Sequence, residues 1–131
     1  MKSHKTPLRY PGGKSRACTK MDPYFPDLRN YEEFREPFLG GGSVAIHITK
    51  KYPYLNVWVN DLYEPLVNFW QQLQMFGPEM KDELLKQKYS HDEPTKAKSL
   101  FLDSKAYHAR PLDDTESFQR AVSFYIVNKC S

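Results

Sequence analysis

Apolar and polar positions along the chain fall into a few distinct rhythms. Residues 1–11 have none. They are polar and basic, and Pro7 and Pro11 forbid a helix, so an extended arm is expected. Gly12-Gly13 breaks the chain, and Lys14 to Met21 reads as a short helix ended by Asp22-Pro23 and Phe25-Pro26. Phe34 to Phe38 reads as a strand. Ser43 to Lys51 follows as a helix, apolar nearly all round through Val44, Ala45, Ile46 and Ile48, as expected of a helix packed on a sheet. Pro53 closes it. Leu55, Val57 and Val59 then alternate with Asn56, Trp58 and Asn60, the period of a second strand ending at Asn60-Asp61. Leu62, Leu66, Phe69, Leu73 and Phe76 recur at helical spacing, with Gly77-Pro78 as the expected stop. Residues 79–89 form another short helix. Lys96 to Ala109 is a further helical run, broken by Pro111. Asp113, Asp114 and Thr115 are helix-start residues, and Phe118, Ala121, Val122, Tyr125 and Ile126 share one face of the last helix.

Two parallel strands joined by one helix make a single strand–helix–strand unit. Parallel sheets ordinarily have several strands and are covered on both faces, and two strands alone leave long unpaired edges. The expectation is an incomplete α/β fold: a strand–helix–strand unit plus a helical segment, forming the first part of a larger domain.

Composition narrows the class. At 131 residues the chain is long enough for one modest core, and an apolar fraction of 40% excludes a disordered chain. The net charge of +3 permits a polyanionic partner without demanding one. Six cations, Lys2, Lys5, Arg9, Lys14, Arg16 and Lys20, lie in the first twenty residues with no acid among them. A phosphate-tracking arm has this composition, and so does a solvated terminus. Cys18 and Cys130 are far apart and form no Cys-x-x-Cys, which fits a reducing cytoplasm. No apolar run is long enough to cross a membrane, and no signal-peptide core follows the basic start. The four histidines have no metal-ligand spacing, and His47, on a mostly apolar helix, is read as a packing residue.

The candidate chemistry begins at Gly40-Gly41-Gly42. A glycine turn between a strand and a helix lets the backbone approach a ligand, and the helix start adds unpaired N–H groups. Asp61, about 20 residues on at the end of the second strand, suits the two hydroxyls of a ribose. It equally suits the N-cap of the helix that follows. The spacing does not choose between NAD and S-adenosylmethionine. Gly12-Gly13-Lys14-Ser15 is not a phosphate-binding loop of the ATPase kind, because Leu8 stands where that motif needs glycine. What remains is a loop in which the backbone and Lys14 approach an anionic group, or a plain turn with a solvated lysine.

Three blocks together resemble the Dam-type adenine-specific DNA methyltransferases. They are Leu8-Arg9-Tyr10-Pro11-Gly12-Gly13-Lys14-Ser15, Glu36-Pro37-Phe38-Leu39-Gly40-Gly41-Gly42-Ser43-Val44 and Val59-Asn60-Asp61-Leu62. A weaker match, Phe124-Tyr125-Ile126-Val127-Asn128-Lys129, resembles the helix end that leads into the family's DNA-recognition hairpin. The resemblance implies a Rossmann-like methyltransferase fold, S-adenosyl-L-methionine as cofactor, double-stranded DNA as partner and N6-methyladenine as product. It also implies roles. Tyr10, Gly12 and Lys14 sit at the methionine end, with Lys14 toward its carboxylate. Phe38, Gly40 and Gly42 line the same pocket, Asp61 holds the ribose and Leu62 touches the adenine. Arg9, Asn128 and Lys129 are the DNA-contact candidates. Residues 1–76 then belong to the cofactor-binding domain, and residues 77–131 begin the DNA-recognition part.

The family's catalytic Asp-Pro-Pro-Tyr does not occur in these residues. Asp22-Pro23-Tyr24 lacks one proline and precedes the first strand, so it is read as a helix stop. The expectation is therefore the N-terminal portion of a site-specific DNA methyltransferase, inactive alone and completed by a C-terminal segment or chain. The alternatives are a binding module without chemistry and a nicotinamide-dependent oxidoreductase, which gives Arg9 to Lys14 no role.

Overall fold

The computed structural model describes residues 5–108 and 116–130. The first four residues of the arm, the Pro111 break and the helix-start residues Asp113, Asp114 and Thr115 lie outside the described residues. The chain divides into two units, Met1–Leu62 and Tyr63–Ser131.

The first unit holds a short helix α1 (Cys18–Met21), two 3-10 turns (Asp22–Tyr24 and Leu28–Asn30), strand β1 (Glu33–Glu36), helix α2 (Ser43–Lys51) and strand β2 (Asn56–Val59). The strands are parallel, in the register Glu33↔Asn56 to Glu36↔Val59, with α2 as the crossover. Phe34 and Glu36, like Val57 and Val59, are half-buried, and the residues between them are exposed. Leu28, Ile48, Tyr52 and Leu55 form the core, with Phe34 and Val44 packed against it. Fully burying a residue such as Ile48 contributes about 1.5–3 kcal/mol. Both strands are shorter than the alternation predicts, for backbone reasons. Pro37 has no N–H for the ladder and ends β1. The Leu55 N–H is taken by a turn to the Tyr52 carbonyl at 3.1 Å, so β2 starts at Asn56. The pairing does reach one step past β1, where the Leu39 N–H donates to the Asn60 carbonyl at 2.9 Å.

Two other expectations change. Regular helix covers only Cys18–Met21 of the expected Lys14–Met21, because the preceding residues form turns in which the Lys14 carbonyl accepts from both Ala17 and Cys18. His47 is a polar contact and not a packing residue: its Nε2 lies 2.8 Å from Asp22 Oδ1, and Lys51 Nζ lies 3.2 Å from the other oxygen. Asp22 does end α1, and its carboxylate holds that turn to the helix that follows β1.

The second unit is helical: α3 (Glu64–Ser90), α4 (Pro94–His108) and α5 (Ser117–Cys130). Gly77-Pro78 does not stop α3. The helix bends at Phe76 (φ −134°, ψ 37°) and continues. Pro78 lacks a donor and crowds the preceding turn, yet Met80 beyond it is only 1% exposed, so the helix past the bend is still packed. Leu62 is not part of the helical face: it lies before α3 and is 93% exposed. Leu66, Phe69, Ala121, Val122 and Ile126 fill the interior, and the Phe69 ring packs 5.5 Å from Phe124 and 5.9 Å from Tyr125. Arg120, 2% exposed, sends both guanidinium arms to the Glu64 carboxylate, a fork that only arginine can make. The Asn68 amide donates to the Ser117 carbonyl at 2.9 Å, a second tie between α3 and the start of α5.

Candidate functional site

Two glycine turns meet in the first unit. In Tyr10-Pro11-Gly12-Gly13, the Gly13 N–H donates to the Tyr10 carbonyl at 2.9 Å and Gly12 has φ +71°. Proline second and a positive φ third are the requirements of a type II turn. In Leu39-Gly40-Gly41-Gly42, the Gly42 N–H donates to the Leu39 carbonyl at 2.9 Å, with φ +52° at Gly40. Gly42, at φ +77°, caps α2.

Tyr10 joins the two turns. A Cβ on Gly40 would come within 3.0 Å of Tyr10 Cε1, and one on Gly41 within 2.8 Å of Tyr10 Cβ. The second turn is therefore glycine for close packing as well as for backbone freedom. Two hydroxyl contacts reinforce the junction. Thr6 Oγ1 donates to the Gly41 carbonyl, and the Ser15 and Ser43 hydroxyls lie 2.7 Å apart.

Between the turns lies a cavity of about 100 Å³ lined by Tyr10, Gly12, Lys14, Glu36, Phe38 and Gly40, with Gly13, Leu39, Gly41, Ser43 and Val44 completing its wall. Complete small-molecule pockets usually enclose about 300–1,000 Å³, so this one is sized for one end of such a ligand. It carries both signs of charge. Burial pushes the Glu36 carboxyl above its ordinary value, and the weaker attraction of Lys14 opposes that shift. The positive end of α2 also opens here, through Ser43 and Val44.

Asp61 stands at the end of β2 and accepts a hydrogen bond from the Gly40 N–H at 2.9 Å. It is not the cap of α3, whose N-cap is Tyr63, without a side-chain bond. The carboxylate thus orients the glycine turn from the neighbouring strand end. Of the residues singled out from sequence, Tyr10, Gly12, Lys14, Phe38 and Gly40 line the cavity, Asp61 is bonded to its rim and Gly42 starts the helix beside it. Leu62 and Arg9 are exposed and do not line it. Asn128 and Lys129 lie at the end of α5 in the second unit, where Lys129 Nζ sits 5.6 Å from the Tyr125 ring centre. The reading missed Glu36 as a pocket residue. Its signal was its place at the carboxyl end of a strand, within the block that leads into the glycine turn. Among the described residues no group of three His, Cys, Asp or Glu side chains could hold a metal ion, and no helix is long and apolar enough to cross a membrane.

Comparison with known proteins decides the family. The model of the D12 class N6 adenine-specific DNA methyltransferases matches residues 10–131. This chain belongs to that family. It is also 24% identical over 127 residues to the Type II methyltransferase M.MjaIII of Methanocaldococcus jannaschii. That alignment takes in 93% of the chain and 44% of the relative, so the chain spans less than half the length of that protein. The cofactor of D12-class adenine methyltransferases is S-adenosylmethionine, and a two-stranded parallel sheet with helices is compatible with part of an α/β fold of that kind.

The residues present fit one end of the D12-class cofactor. Lys14 and Glu36 both line the cavity and complement a carboxylate and an ammonium, and Gly12, with no atom within 4 Å of where a Cβ would stand, leaves room for backbone approach. When bound, S-adenosylmethionine supplies an electrophilic methyl group on a sulfonium centre.

Proposed function

We propose that this chain is the cofactor-binding portion of a site-specific DNA adenine N6-methyltransferase. Lys14 and Glu36 hold the zwitterionic methionine end, Tyr10, Gly12, Phe38 and Gly40 enclose it, and Gly42 presents the α2 N-terminus. Asp61, pinned by the Gly40 N–H, turns its carboxylate to the ribose hydroxyls, and Leu62 covers the adenine. The observation that carries this reading is the convergence of Tyr10, Lys14, Glu36 and Phe38 on one cavity from two separate stretches of the chain. A plain glycine turn needs neither the opposed charges nor the tyrosine across it.

Residues 1–76 serve cofactor binding, and residues 77–131 begin the DNA-recognition part, where Asn128 and Lys129 are DNA contacts; Arg9 is a DNA contact of the first unit. Methyl transfer also needs a group that accepts from the amino group of an extruded adenine. The Asp-Pro-Pro-Tyr that would do so is not in this sequence, and Asp22-Pro23-Tyr24 is occupied as a turn held by His47. These residues alone should therefore bind cofactor without methylating DNA, and a complementing segment or chain should restore transfer. The test incubates the chain with duplex DNA and labelled S-adenosylmethionine. No label should enter the DNA, and incorporation as N6-methyladenine would overturn the assignment of chemistry to residues outside this stretch. A nicotinamide site uses the same glycine turn and acid but leaves Tyr10 and Lys14 without a role, so NAD should not displace S-adenosylhomocysteine.

A further inference from the structure

A second concave surface lies on the same unit, beyond the Ser15–Ser43 contact. It is a groove of about 580 Å³, larger than the cofactor cavity, with Lys5, Arg16 and Lys50 along it and the hydroxyls of Ser15, Thr19 and Ser43 among them. No carboxylate among the described residues lines it. His47 also lines it and holds the nearby acid Asp22 at 2.8 Å, and the other oxygen of Asp22 is taken by Lys51 at 3.2 Å. Three cations from three separate stretches, the arm, the loop before α1 and the end of α2, therefore line one groove. The hydroxyls add directed donors. Ser15 and Ser43 lie 2.7 Å apart, so one donates to the other and the acceptor keeps its own O–H for a ligand.

We propose that this groove binds phosphate groups of a DNA backbone, separately from the cofactor pocket. The chemistry of the lining selects phosphate. Arginine and lysine with hydroxyl donors are the usual partners of phosphate oxygens, and such contacts position a protein on the duplex without reading sequence. No Phe, Tyr or Trp among the described residues lines the groove, and its one ring, His47, is held by Asp22, so stacking on bases is not its main chemistry. Among the described residues its apolar contributions are Ile46 and Cys18, too few for a hydrophobic ligand. That the phosphate belongs to DNA rests on the methyltransferase reading, whereas the phosphate chemistry of the groove does not.

The experiment measures binding of the full chain to a short duplex across a salt series. Two triple variants are compared with the unaltered chain: Lys5→Gln/Arg16→Gln/Lys50→Gln in the groove, and Arg29→Gln/Arg35→Gln/Lys51→Gln, outside the groove on the same unit, as a charge-matched control. Each phosphate contact contributes about 0.9 to the slope of log K against log salt. The groove variant should lose about one to three units of slope and the control none. Equal losses in both would assign the effect to net charge and overturn the proposal, as would an unchanged slope in the groove variant or no duplex binding by the unaltered chain at low salt. Inorganic phosphate should compete with duplex only weakly. Saturation of the groove by phosphate, with the duplex slope unchanged, would make a free phosphate the ligand and overturn the DNA assignment. S-adenosylhomocysteine binding separates the two readings. If the groove fails, that binding stays intact in every variant, whereas failure of the cofactor reading abolishes it in the unaltered chain.

Discussion

Gly41→Ala tests whether the two glycine turns act as one structure. A Cβ at position 41 would lie 2.8 Å from Tyr10 Cβ, closer than carbon atoms tolerate. The contact is with the first side-chain atom, so no rotation of the tyrosine relieves it, and the Tyr10–Gly13 turn must move away from Leu39–Gly42. Overpacking of this kind costs about 1–3 kcal/mol, which in a unit of this size lowers the melting temperature by on the order of 10 °C. The displaced turn carries Tyr10 and Lys14, so affinity for S-adenosylhomocysteine should fall about tenfold or more, the equivalent of about 1.4 kcal/mol. Thermal unfolding and calorimetry read the two effects. A background change separates sterics from general damage. In a Tyr10→Ala chain the Cβ remains, and Gly41→Ala should cost as much as before. In a Tyr10→Gly chain the Cβ is gone, and the same substitution should cost little. Gly40→Ala behaves differently, because its clash is with Tyr10 Cε1 at 3.0 Å while φ is +52°. Tyr10→Ala should relieve the clash and leave the left-handed backbone cost of about 1–2 kcal/mol. Equal costs for Gly41→Ala in the Tyr10→Ala and Tyr10→Gly chains would refute the reasoning.

Charge at three other positions yields further outcomes. The Asp22 carboxyl is held below its ordinary value, first by its hydrogen bond from His47 and then by Lys51. Its contribution is present above the ordinary carboxylate range and is lost as pH falls through the lowered value. Asp22→Asn should therefore flatten the acid limb of a stability–pH curve below about pH 4. Glu36 has the opposite sign, since burial raises its pKa and the folded chain holds that proton more tightly than the unfolded one. Stability is lost as pH rises through that interval, so Glu36→Gln should raise the melting temperature of the free chain at neutral pH and weaken S-adenosylhomocysteine binding in calorimetry. In the second unit, Glu64→Ala strands the buried Arg120 guanidinium and should cost about 2–3 kcal/mol in urea unfolding, less than a fully buried pair because water still reaches Glu64. Replacing both, as Glu64→Leu with Arg120→Met, should recover most of that loss.

The sequence was most legible where the backbone and the side chains agree. Alternation at Val57 and Val59, the apolar run from Val44 to Ile48 and the glycine turn between strand and helix all lead to the observed crossover unit. The short ranges of β1 and β2 depend on donors that pattern does not report: Pro37 has none, and that of Leu55 is spent in a turn. The bend at Phe76 was legible only as punctuation, because whether a Gly-Pro stops or bends a helix depends on packing beyond it, here through Met80. His47 was misread because helical periodicity says nothing about Asp22, which lies 25 residues earlier in the chain. The motif blocks hold Tyr10, Lys14, Phe38 and Gly40, which line the cavity. That Glu36 also lines the cavity required the structure, as did the grip of Asp61 on the Gly40 N–H.

Calorimetric titration of this chain with S-adenosylhomocysteine, beside Asp61→Ala and with NAD as competitor, tests the central claim most directly. Saturable binding at one site, weakened by Asp61→Ala and indifferent to NAD, is the predicted result. Absence of binding, or affinity untouched by Asp61→Ala, would contradict the pocket built around Gly40 and Asp61.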